Sequence, residues 1–68
     1  MSDDSQPSIG PQLSSVSTAL TELTSRIAGI AETYSGSSRE DVAGALFEVE
    51  RSLATAGRRL DQLVNELR

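Results

Sequence analysis

The 68-residue chain carries ten Asp or Glu against six Arg and no Lys, for a formal charge of −4 and a pI near 4.5. It has no His, Cys or Trp, and its aromatic residues are Tyr34 and Phe47 alone. That composition excludes thiol nucleophiles, disulfides, zinc-ribbon sites, Ser-His-Asp triads and a base-stacking platform, because the ligands, bases and rings are missing. One small domain is the most this length supports, and a single core of that size is marginal by itself.

The first residues, Met1-Ser2-Asp3-Asp4-Ser5-Gln6-Pro7, are acidic and polar, with neither a basic nor an apolar stretch of the secretory kind, so no signal peptide is expected. Val42 to Phe47 is the longest apolar-or-small run, far short of a membrane span. A cytoplasmic protein with no membrane contact is expected, and the absence of Cys is compatible with it.

Residues 1–10 read as a disordered acidic tail, interrupted only by Ile9. Pro11 suits the first position of a helix, where its missing N–H loses no partner. Helix 1, about 11–34, then places Leu13, Val16, Leu20, Leu23, Ile27, Ile30 and Tyr34 at spacings that alternate three and four, a heptad seam. Ser35-Gly36-Ser37-Ser38 is the turn. Gly36 can close a helix in the left-handed conformation, and Ser37 with Glu40 or Ser38 with Asp41 offers a capping box for the next one. Glu40 and Asp41 suit the positive end of the helix dipole.

Helix 2, about 39–67, repeats the alternation with Val42, Leu46, Val49, Leu53, Ala56, Leu60, Leu63 and Leu67. One antiparallel register satisfies every layer, from Tyr34 with Val42 through Ile27 with Val49, Leu23 with Leu53 and Leu20 with Ala56 to Leu13 with Leu63. The expected fold is all-α, an antiparallel, coiled-coil-like hairpin with these two sets of residues as its core.

Positions beside such a seam ordinarily carry Glu and Lys, which select partners by charge. Here they are mostly small: Ser17, Thr24 and Ala31 or Ala19, Arg26 and Thr33 on helix 1, and Ala43, Glu50, Gly57 and Val64 or Ala45, Ser52, Arg59 and Glu66 on helix 2. Helix 2 also has a second stripe, Ala43, Phe47, Ala54, Gly57 and Val64, interrupted by Glu50 and Asp61. The apolar surface is wider than two helices cover, so the hairpin is expected to be completed as a four-helix bundle by dimerisation or by a partner. The stripe is the expected partner-binding surface, with Phe47 as its anchor. Gly29, Gly44 and Gly57 fall inside helices, where each costs on the order of 1 kcal/mol relative to Ala. Close approach of another backbone is a reason for Gly57, and sequence drift for the other two.

No catalytic, cofactor or metal site is expected. Glu40, Asp41, Glu48 and Glu50 lie off the seam, and a di-metal bundle site needs Glu-x-x-His pairs pointing inward. The turn lacks the pattern and the Lys of a phosphate loop. Arg51, Arg58 and Arg59 form the basic cluster; Glu48 and Asp61 lie one turn away and are expected to pair with it, and a net negative charge opposes nonspecific nucleic-acid binding.

The run Ile27-x-x-Ile30-x-x-x-Tyr34-x-Gly36 at the turn of a helical hairpin resembles the turn of the WXG100 type of small secreted protein, over about the middle third of the chain. Tyr34 would stand in the Trp position and Gly36 in the Gly position. The resemblance implies a hairpin that pairs into a four-helix bundle and leaves through a dedicated secretion machine. Tyr for Trp, shorter helices and the lack of a Tyr-x-x-x-acid motif after helix 2 are departures, and this export protein is the alternative reading. The main reading is a non-enzymatic interaction module, a small adaptor, regulatory or accessory subunit acting through helix 2 on itself as a homodimer or on a larger protein. A nucleotide- or nucleic-acid-binding regulator using Arg51, Arg58 and Arg59 is a third.

Overall fold

The computed structural model describes residues 9–67. Residues 1–8, most of the expected disordered tail, lie outside that range, as does Arg68. Two helices, α1 (Ile9–Tyr34) and α2 (Glu40–Glu66), pack against each other as an antiparallel hairpin, so the fold is all-α. α1 starts at Ile9, two residues ahead of the expected position, which puts Pro11 third in the helix. Its missing N–H still falls among the first four donors, which have no partner within a helix, so the ring ends nothing.

Gly36 reverses the chain with φ of 80°, the only positive φ among the described residues. Around it the polar groups of the turn are used locally. The Ser35 N–H donates to the Ala31 carbonyl at 3.0 Å and the Ser37 N–H to that of Tyr34 at 3.1 Å. The Ser37 hydroxyl donates to the Tyr34 carbonyl at 2.5 Å and accepts from the Arg39 N–H at 3.0 Å. Glu40 reaches back to accept the Gly36 N–H at 2.5 Å. The N-cap of α2 is Arg39, without a side-chain cap, so neither expected capping box forms: Ser37 holds the turn instead, and Glu40 caps the glycine. The Arg39 guanidinium pairs with Asp41 at 3.2 Å and holds its carboxyl below the usual carboxylate range.

The two helices keep the expected order of layers but meet along a line turned toward one flank. The shared row is half-buried: Leu13, Leu20 and Ile27 of α1 with Leu46, Leu53 and Leu60 of α2. Beside it, the row four residues further along each helix is drawn in as well. Ala31 and Ala43 are completely buried, and Ser17, Thr24, Glu50, Gly57 and Val64 are half-buried. The opposite row turns outward, so Val16, Leu23, Ile30, Val49, Ala56 and Leu63 of the expected core are exposed, as are Tyr34 and Leu67 at the ends. Val42 of that row is half-buried.

Size is the physical reason. The inner row carries Ala31, Ala43 and Gly57, which let two backbones approach more closely than a Leu–Leu seam allows. A Cβ placed on Gly57 would sit 3.7 Å from Leu20 Cδ2, an ordinary contact. Two polar members of the row are bonded where they lie. The Thr24 hydroxyl donates to the Leu20 carbonyl at 2.7 Å, and the Ser17 hydroxyl crosses to Asp61.

Three glycine substitutions check this backbone. Gly29→Ala and Gly44→Ala meet open space inside helices and should each stabilise the fold by about 0.5–1 kcal/mol. Gly36→Ala must force a side chain into positive φ and should cost about 1 kcal/mol or more. Urea unfolding of the three variants measures both signs.

Candidate functional site

A hairpin has two sides, and these two differ. A helix turns about 100° per residue, and an antiparallel partner reverses the sense of that turn, so the outward rows of α1 and α2 flank the same side. That side carries Val16, Leu23 and Ile30 from α1 and Val49, Ala56 and Leu63 from α2, each set repeating every seven residues. The five large members are between 43% and 53% exposed. Further out on the same side, Ala19 is followed one heptad on by Arg26 in α1, and Ala45 and Ser52 by Arg59 and Glu66 in α2.

The other side mixes polar and apolar groups. One shallow groove of about 300 Å³ runs between Leu20, Thr21, Thr24 and Ser25 of α1 and Leu53, Ala54, Gly57, Arg58 and Asp61 of α2, with more apolar than polar lining. A second lies among Ser14, Ser17 and Thr18, Asp61 and Asn65. Hydroxyl, carboxylate and guanidinium groups here face water, with Ser17 bonded to Asp61 and Arg58 donating to Thr55 at 3.2 Å.

Neither a protein-family model, nor a curated protein, nor a solved structure matches this chain.

The stripe expected to bind a partner sits largely within the hairpin. Ala43 is completely buried, Gly57 faces Leu20, and Ala54 and Val64 are half-buried along the interhelical line. Phe47 is half-buried too, lining a shallow hollow with Glu50, Arg51 and Ala54 at the edge of that line. The reason is the rotation already described: the small residues that left room for a third helix are filled first by the second one. The apolar surface that remains open is the outward row, which the sequence pattern assigned to the core. Facing rows of Ala and Gly across the turn, Ala31 and Ala43 above all, are the signal that pointed to this closer packing.

Arg51, Arg58 and Arg59 are all exposed, and the expected pairing with Glu48 and Asp61 does not form. Asp61 instead accepts from Ser17, and among the described residues the ion pair is Arg39 with Asp41. Glu40, Asp41, Glu48 and Glu50 do not converge; among the described residues no three carboxylates come together in a way that could hold a metal ion. No helix of the described residues is long and apolar enough to cross a membrane.

Ala43→Leu tests the close approach. With no room at a completely buried alanine, the larger side chain should push the helices apart and cost about 1–3 kcal/mol in urea unfolding. Ala56→Leu adds the same atoms on the outward row and should leave the hairpin contact itself unstrained. A larger loss for Ala56→Leu than for Ala43→Leu would place the helices in the other rotation.

Proposed function

We propose that this chain is a non-enzymatic protein–protein interaction module, an adaptor, regulatory or accessory subunit whose hairpin is completed as a four-helix bundle when other helices cover its apolar side. One observation carries the reading. Among the described residues no side chain larger than alanine is completely buried, whereas Val16, Leu23, Ile30, Val49 and Leu63 stand about half exposed on one side.

The energetics explain why that combination points to association. Ordering the backbone costs about 1–2 kcal/mol per residue, and burying a Val, Leu or Ile side chain returns about 1.5–3 kcal/mol only when it leaves water fully. A hairpin whose large side chains are all partly wet collects a fraction of that. Covering the outward row supplies the missing burial on both helices at once. The surface invoked is therefore a face shared by α1 and α2 rather than α2 alone. The shallowness of the grooves and the absence of His and Cys favour binding over catalysis.

Gel filtration of the protein from its native cells checks this reading. It should elute as part of an assembly well above the 7.2 kDa of one chain. Leu23→Glu should return it to the size of a free chain or lower its steady-state level, because a carboxylate would be trapped in the contact. Ser25→Glu, on the other side, should change neither. A wild-type protein that elutes as a free chain would refute the proposal.

A further inference from the structure

We propose that the occupant of the apolar side is a second copy of this chain, laid face to face about a two-fold axis parallel to the helices, so that α1 of each copy rests on α2 of the other. The inference rests on the interaction-module reading and names its partner.

Area is the first argument. Helices of 26 and 27 residues are about 40 Å long, and two side by side are about 20 Å wide, so covering one side hides roughly 800 Å² per copy. Two copies together bury roughly 1,600 Å², the size of a standard stable interface. A second copy also has the same length, so neither end of the row is left over.

Shape is the second argument. The outward row of α1 is large at every heptad, with Val16, Leu23 and Ile30, whereas that side of α2 interleaves Val49 and Leu63 with the small Ala45, Ser52 and Ala56. In the hairpin Leu20 stands level with Gly57, and Ser17 bonds to Asp61, which brings Leu23 level with Ala54 and Ile30 with Phe47. A two-fold parallel to the helices preserves those levels between copies. Leu23 of one copy then enters the space over Ser52 and Ala56 of the other, and Ile30 that between Ala45 and Val49. The chain carries both the large side chains and the small gaps that receive them, as a contact between like surfaces requires.

Charge is the third. The apolar side is bordered by Glu22 and Arg26 on α1 and by Glu48 and Arg59 on α2. All four are exposed, and none makes an ion pair among the described residues. In the proposed dimer they fall along one edge in the order Arg59 of the second copy, Glu22, Arg26, Glu48 of the second copy. Neighbours in that order alternate in sign and are three or four residues apart in level, about 5–6 Å, within reach of an arginine. The two-fold repeats the same ladder on the other edge.

Sedimentation equilibrium of the purified full chain, with circular dichroism melts across the same concentrations, tests the proposal. The wild type should sediment at twice the chain mass, with a melting temperature that rises with concentration. Leu23→Glu should weaken the dimer by about a hundredfold or more. Glu22→Arg and Arg59→Glu should each weaken it by about tenfold, since every swap sets like charges together on two edges. The double variant Glu22→Arg with Arg59→Glu should recover most of the wild-type affinity, which a merely structural defect would not do. Recovery by Glu22→Arg with Arg26→Glu instead would overturn the placement of α1 on α2. A wild type that stays monomeric and melts without cooperativity would overturn the second copy and leave the face to a different protein. A cooperatively folded wild-type monomer would overturn both this inference and the association reading beneath it.

Discussion

Everything distinctive in this molecule depends on how closely its two helices approach. Ala31 and Ala43 are completely buried, and a Cβ on Gly57 would come into ordinary contact with Leu20. Close packing of small residues gains dispersion contacts along both backbones, each tiny and together substantial. It also rotates the helices, because the small row must face inward for the approach to happen. The large residues of the opposite row are carried outward by that same rotation.

The result is a hairpin with a division of labour between its sides. Hydroxyls and charges gather on one side, where Ser17 and Asp61 tie the helices together across the groove. Val, Leu and Ile gather on the other. A larger protein would cover such a surface with its own next helix. Among the described residues of this chain no further helix covers it. The turn plays a simpler part. Gly36, Ser37 and Glu40 satisfy one another's backbone groups in a short connection, which keeps the helices antiparallel and adjacent without any contribution from the apolar side.

Under the proposed association, folding and binding belong together. Leu20, Leu53, Leu46 and Leu60 are only half-buried in the hairpin, so each gains part of the transfer free energy available to it. The rest becomes available when the neighbouring outward row is covered, since the two rows adjoin on both helices. Stability in such a system varies with the concentration of whatever binds.

Two helices, the turn at Gly36 and the antiparallel pairing were all legible in the sequence. The alternation of three and four in Leu13 to Tyr34 and Val42 to Leu67 is a property of local spacing, and only glycine takes the turn's positive φ without strain. Small flanks and a width of apolar surface beyond two helices were legible as well. Which row faces inward was not. A heptad pattern marks a set of apolar positions spanning more than one interface, and the choice among its edges is a competition between burying large side chains and bringing backbones close. Ala31, Ala43 and Gly57 decide that competition only when they are brought to the contact between the helices, which depends on both helices together. For that reason Leu23 and Val49, core residues by spacing, stand in the open, while Ala43 and Gly57, free by spacing, lie inside the hairpin.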